Sequence, residues 1–293
     1  MILVIGATGM VGTEVCRLLI SGGRPVRALV RPASEPSKVE NLQRLGASVV
    51  KGDLRDAVSL KAACQGVSAI IGTASSMPFA YAPGDNTPQT TDRDGYLRVI
   101  EAAREAQVRQ FIYISFPPMG PAFPLHDAKR AVEKYLRESG LVFTILQPTF
   151  FSEVWLSPGV GFDYAHQKAT LYGAGENPIS WISFRNVAQF AVYSLDNPAA
   201  RNATLQLGGP RGISPCGVVK VFEKACGKPF AVTNVPVEAL QKQYDGATDP
   251  MQKSFSGLMI GYANGLAIDM GAALKAFPVK LGTVEEYARR ATA

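Results

Sequence analysis

Histidine is nearly absent from this chain. Of the 293 residues only His126 and His166 are imidazoles, and neither has another His or Cys at ligand spacing, which argues against a metal site and against catalytic zinc above all. Cysteine is almost as scarce: Cys16, Cys64, Cys216 and Cys226 stand far apart without a CxxC pair, the usage of buried, reduced thiols rather than of a disulfide scaffold. No apolar run approaches the roughly 18 residues that a bilayer requires, so no membrane association is expected. The opening Met1-Ile2-Leu3-Val4-Ile5 lacks a basic lead-in and runs directly into a glycine turn, unlike a secretory signal, and a cytoplasmic location is expected. Clustered basic charge is missing too. The 30 Lys and Arg are scattered among 24 Asp and Glu, so nucleic acid is not an expected partner, and the anion best supported is a small phosphate-bearing molecule.

What is present is an alternation of buried-strand and amphipathic-helix patterns. Continuous apolar runs at Ile2 to Ile5, Val26 to Val30, Ser48 to Val50, Ala69 to Gly72, Gln110 to Ser115 and Val142 to Leu146 read as strands. Between them helices are expected near Val11 to Ser21, Ser37 to Leu45, Ala57 to Cys64, Tyr96 to Ala106 and His126 to Ser139. This βαβ rhythm predicts an α/β fold, a Rossmann doubly wound parallel sheet whose ligands lie beyond the carboxyl ends of its strands. After Pro148 the rhythm is lost and glycine and proline become frequent. The expected division is therefore a dinucleotide-binding domain over 1–150 and a second, smaller α/β lobe on the substrate side over 151–293, with 183–207 returning to the first domain. Phe184 to Leu195 reads as a helix, Ala203 to Leu207 as a strand, and the tail as mainly helical.

The strongest motif is Gly6-Ala7-Thr8-Gly9-Met10-Val11-Gly12, set between the first strand and the first helix. Gly6 permits a tight turn, Gly9 admits a diphosphate close to the backbone and Gly12 lets helix and strand approach. Backbone N–H groups of Thr8, Met10 and Val11 then meet the phosphates at the helix N-terminus. A ligand-free glycine turn is the alternative, and the order strand, glycines, helix weighs against it. At the end of the second strand, where an acidic residue would hold the ribose of NAD, stands Arg31, with Lys38 downstream. A guanidinium there grips a 2′-phosphate, so NADP(H) is the expected cofactor; an ordinary solvated arginine is the alternative. Gly52-Asp53-Leu54 and Thr73-Ala74-Ser75 end the third and fourth strands at the cofactor edge. Asp53 reads equally well as a helix N-cap, and Thr73 and Ala74 as backbone contacts.

Together with the Asp94-Gly95 turn, Phe111-Ile112-Tyr113-Ile114-Ser115, Lys129 within His126-Asp127-Ala128-Lys129, and Trp181-Ile182-Ser183-Phe184-Arg185-Asn186-Val187-Ala188, these residues resemble the NmrA-like family. Those atypical short-chain dehydrogenases include plant phenylcoumaran benzylic ether and isoflavone reductases. The resemblance implies an NADPH-dependent oxidoreductase acting on a small apolar or aromatic substrate such as a quinone or enone. In ordinary short-chain dehydrogenases a Tyr four residues before a Lys donates the proton; that position here is Leu125, and the resemblance carries the catalytic role to Lys129. His126, about 60 degrees round the same helix, and Ser115 are the further catalytic candidates, while a solvated surface lysine is the alternative for Lys129. The missing tyrosine keeps a rival open: a non-catalytic NADP(H) sensor or assembly protein with a protein partner. A nucleotide-sugar epimerase relative fits less well, and a monomer or a dimer is expected. The loop from Ser76 to Arg93, with Phe79 and Tyr81, reads as a substrate cover or as disorder. Phe150, Phe151 and Trp155 read as pocket lining or core.

Overall fold

Strands that are apolar on both faces demand cover on both faces, and the computed structural model, which describes residues 1–77 and 86–293, supplies it. Phe79 and Tyr81 lie outside the described residues. β1 (Ile2–Ile5), β2 (Val26–Val30), β3 (Ser48–Lys51), β4 (Ala69–Gly72), β5 (Gln110–Ile114), β6 (Val142–Pro148) and β9 (Ala203–Leu207) form one sheet in the order β3-β2-β1-β4-β5-β6-β9. Every pairing from β3 to β6 is parallel, with Ile5 opposite Leu29 on one side and Gly72 on the other. β1 and β4 are buried at all four positions each, whereas β3, at the edge, is not. The doubly wound reading is correct, and the strand order reverses between β1 and β4, which opens a crevice at their carboxyl ends.

The helices α1 (Met10–Ser21), α2 (Pro36–Leu45), α3 (Ala57–Cys64), α4 (Asp94–Glu105) and α5 (Pro124–Glu138) link these strands. α4 starts two residues earlier than its apolar pattern suggests, because a single π-helical turn, Pro88–Arg93, feeds directly into it. That turn is fixed by a capping box in which Thr87 and Thr90 satisfy each other's backbone N–H.

The chain divides into two compact units: 1–115, 127–147 and 187–205 form the first, and 116–126, 148–186 and 206–293 the second. The excursion at 116–126 has no counterpart in the boundaries read from sequence. In the second unit α8 (Pro215–Cys226), α10 (Pro250–Asn264) and α12 (Val284–Thr292) surround a core containing Trp181, Phe222 and Tyr262. α8 and α10 each begin with Pro behind a capping Ser214 or Asp249, a start that needs no N–H from its first residue. The tail is not purely helical: β10 (Ala231–Val235) joins β8 (Lys168–Tyr172) and β7 (Phe162–Asp163) in a small sheet. Four of the five β10 residues are exposed, so the strand lacks the apolar run that would announce it. No helix among the described residues is long and apolar enough to cross a membrane.

Candidate functional site

The first turn after β1 is built so that only glycine fits at two of its positions. Gly6 has φ of 78°, and a Cβ there would stand 2.6 Å from the Ala74 nitrogen. A Cβ on Gly12 would stand 2.1 Å from the Gly6 carbonyl oxygen. The Gly9 N–H donates to that same oxygen at 2.9 Å, Thr13 Oγ1 donates to Ala7 O at 2.8 Å, and Thr73 Oγ1 donates to Ile5 O at 2.9 Å. α1 then starts at Met10 behind Gly9 as its N-cap residue, with no side-chain cap and no acidic residue in its first turn. The N–H groups of Met10, Val11 and Gly12 therefore point beyond the helix, with the positive end of its dipole unanswered. Thr8 is half-buried and Gly9 and Met10 are exposed at this mouth. Such a row of outward N–H donors fits a diphosphate.

Arg31 is exposed where β2 ends. Asp53 is held below the usual carboxylate range, first by its hydrogen bond from Arg55 and more weakly by the charge of Arg31, so the two strand ends share one electrostatic neighbourhood. Arg55 grips Asp53 through Nε and Nη2, both at 2.9 Å, and donates its backbone N–H to the same carboxylate. Asp53 is not the N-cap: that role belongs to Asp56, whose Oδ1 accepts from Val58 N at 3.0 Å. Lys38 is paired with Glu35 at 2.8 Å, both side chains being more than half exposed. Leu54 turns its side chain into the core, at 7% exposure, and Ser75 is exposed with its Oγ accepting from Met77 N. Asp53, Arg55, Asp56, Thr90, Asp94 and Arg98 line an open groove on this unit.

Lys129 is not a solvated helix lysine. Its side chain is 5% exposed, and Nζ sits 3.1 Å from Asp92 Oδ1, itself fully buried, and 3.4 Å from Ile114 O. The rings of Tyr113 and Tyr96 flank the ammonium at 5.0 and 5.5 Å from their centroids. The other Asp92 oxygen accepts from Ser76 N at 2.8 Å, so one carboxylate carried by the π-helical turn ties the end of the β4 loop to α5. Tyr96 OH donates to Ala74 O at 3.0 Å, while the buried Tyr113 hydroxyl has no hydrogen-bond partner among the described residues. Burial drives both phenols well above their usual range.

Ser115, 6% exposed, ends β5 with its Oγ accepting from Arg130 Nη2 at 2.9 Å. α5 starts at Pro124, so His126 lies within its first turn; its ring packs against those of Phe123 and Phe116 in the second unit, at 5.6 and 6.3 Å between centroids. Phe150 and Trp155 are core residues, their rings 4.8 Å apart beside Tyr262; Phe151 is half-buried against the same cluster. Asp92 and Arg130 were not candidates from sequence. Asp92 sits in a polar loop 37 positions from its partner, where no spacing rule applies; Arg130 sits three before Glu133, an ordinary surface-helix spacing. Among the described residues no group of three His, Cys, Asp or Glu is placed to hold a metal.

The NmrA-like family profile matches residues 1–288. An NAD(P)H azoreductase from Xenophilus azovorans is 30% identical over 85% of this chain and 82% of its own length. The photosystem II assembly factor Ycf39 of Synechocystis is 28% identical over 82% of this chain and 72% of its own. Among solved structures, the NADPH complex of the Escherichia coli quinone oxidoreductase QOR2 superposes with a TM-score of 0.78 over the whole of both chains at 23% identity. With a match over nearly its full length, the chain belongs to the NmrA-like family.

Proposed function

We propose that the protein is an NADPH-dependent reductase of a small apolar or aromatic acceptor, a quinone or an enone. The observation that carries this reading is the uncapped, acid-free start of α1 facing the glycine turn, with Arg31 at the end of the neighbouring strand. Gly6, Thr8, Gly9, Met10, Val11 and Gly12 would hold the diphosphate, Arg31 the 2′-phosphate, and Asp53, Thr73, Ala74 and Ser75 the rest of the cofactor's edge. Lys38 would reach the 2′-phosphate only on leaving Glu35. Bound NADPH supplies the hydride. Lys129 contributes a fixed positive charge beneath that edge, and Ser115 faces the acceptor. The NAD(P)H azoreductase and the quinone oxidoreductase among the similar proteins support a reductive chemistry on conjugated acceptors.

A fluorescence titration tests the cofactor: NADPH should bind about tenfold or more tightly than NADH, the yield of one charge-assisted contact, and Arg31→Ala should close the gap. Loss of NADPH absorbance with quinones, enones and aldehydes tests turnover, which Lys129→Ala should abolish. The similarity to an assembly factor, together with Leu125 in place of the tyrosine, favours one rival: an NADP(H)-binding sensor with a protein partner. Cofactor binding without turnover across that panel, with a partner whose affinity differs between NADPH and NADP+, would establish the rival instead.

A further inference from the structure

The proton-donating position of short-chain dehydrogenases is filled here by a buried leucine, Leu125, which has no side-chain donor, and the buried Lys129 ammonium is held by Asp92 and the Ile114 carbonyl. Ser115 offers a hydroxyl. It stands at the carboxyl end of β5, one strand beyond the β1–β4 crevice. Its Oγ accepts from Arg130, and its own hydroxyl hydrogen has no acceptor among the described residues. Arg130 is held in turn: Nη2 lies 2.8 Å from Glu133 Oε1, and that carboxylate, 3% exposed, also accepts from Gln147 Nε2 at 2.9 Å and pairs with Arg137 at 3.4 Å. Burial pushes the Arg130 pKa down and the charge of Glu133 offsets only part of that; an arginine keeps its proton under such conditions. A hydroxyl that accepts from a cation is a stronger donor on its other side.

We propose that Arg130 polarises Ser115 into the donor that binds the carbonyl oxygen of the acceptor, taking over part of the work of the missing tyrosine. This rests on the reductase reading and narrows it to acceptors that carry a carbonyl, quinones and enones rather than acceptors without one. When the acceptor gains a hydride, the displaced electron pair ends on the carbonyl oxygen; Ser115 donates a hydrogen bond to that oxyanion and keeps its own proton, and water supplies the proton that completes the reduction. Ser115 is the catalytic residue; Arg130 is a positioning residue acting through it.

The test reads the infrared carbonyl stretch of a quinone bound in the NADP+ complex, alongside kcat and KM, for wild type, Ser115→Ala, Arg130→Gln and the double variant. The stretch should lie below that of free quinone in wild type and move most of the way back in either single variant. kcat should fall about 10²-fold in Ser115→Ala and about tenfold in Arg130→Gln. The double variant should match Ser115→Ala, KM for NADPH should stay within about twofold, and Arg130→Lys should recover part of both signals. If Arg130→Gln fails to fold because the buried Glu133 loses its closer cation, Arg130→Gln with Glu133→Gln carries the same comparison. Turnover with a stretch that ignores Arg130, or losses that multiply in the double variant, overturns the inference alone. A wild type that binds NADPH but neither binds nor reduces any carbonyl acceptor overturns the reductase reading and this inference together.

Discussion

Lys129 and Asp92 bury opposite charges against one another, an arrangement that adds little net stability and is costly to break. Asp92→Ala should therefore destabilise the protein by about 3–5 kcal/mol in urea unfolding, and Asp92→Asn combined with Lys129→Met should recover much of that loss by leaving no unpaired charge. The two tyrosines beside the ammonium should respond with opposite signs. Tyr96→Phe removes the donor to Ala74 O and should cost about 1 kcal/mol, whereas Tyr113→Phe removes a buried hydroxyl that has no partner among the described residues and should leave stability unchanged or raise it. Both phenylalanines keep the ring under Lys129, so thermal melting separates the hydroxyls from the cation–π contacts. At this scale sequence is a partial guide. Family resemblance marks Lys129, but its burial depends on Asp92, which reaches it only through the fold, and Asp53 looks like a helix cap until Asp56 is seen in that place.

At the scale of elements, the start of α1 combines two demands that oppose each other. An uncapped N-terminus without acidic residues is less stable than it needs to be as a helix and is ready to receive an anion. Met10, at the first helical position and 46% exposed, can be replaced by Glu without disturbing the core. Met10→Glu should raise the melting temperature of the cofactor-free protein, a gain of about 0.3–1 kcal/mol, and should weaken NADPH binding in the fluorescence titration. A variant that lost both stability and affinity would show that the turn, not its dipole, is what Met10 serves. The elements around this site were legible in sequence because the sheet there is covered on both faces: apolar runs of β1, β2, β4 and β5 stand out, and the glycines sit where backbone meets backbone. β7, β8 and β10 were not, since β7 is two residues long and β10 lies exposed at a sheet edge, so neither carries a burial pattern. The π-helical turn that delivers Asp92 has no periodicity of its own to read.

Across the whole molecule, the four cysteines divide between the units and report on each separately. Cys16 and Cys64 are completely buried in the first unit, while Cys216 and Cys226, expected from sequence to be buried as well, are only partly so in the second. Burial pushes the Cys16 thiol up from 9.0 to about 12 and the Cys64 thiol up to about 11. A native thiol held above its unfolded value contributes stability that is complete below that value and is lost as pH rises through the native one. The window therefore opens near pH 9.0 and runs to about 11 for Cys64 and about 12 for Cys16. Each thiol should lower unfolding free energy by on the order of 1 kcal/mol by pH 10, and the melting temperature should fall between pH 8 and 10. Buried Tyr96 and Tyr113 extend the loss in this unit at still higher pH, and Tyr172 and Tyr262 act likewise in the second. Iodoacetamide at neutral pH should label Cys216 and Cys226 first, with Cys16 and Cys64 reacting only as the first unit opens. If the glycine turn on that unit is the cofactor site, saturating NADPH should slow labelling of Cys16 and Cys64, because a ligand that binds only the native form suppresses opening in proportion to its occupancy. Cys216 and Cys226 then serve as the internal control, and equal protection of all four thiols would mean that the two units open together.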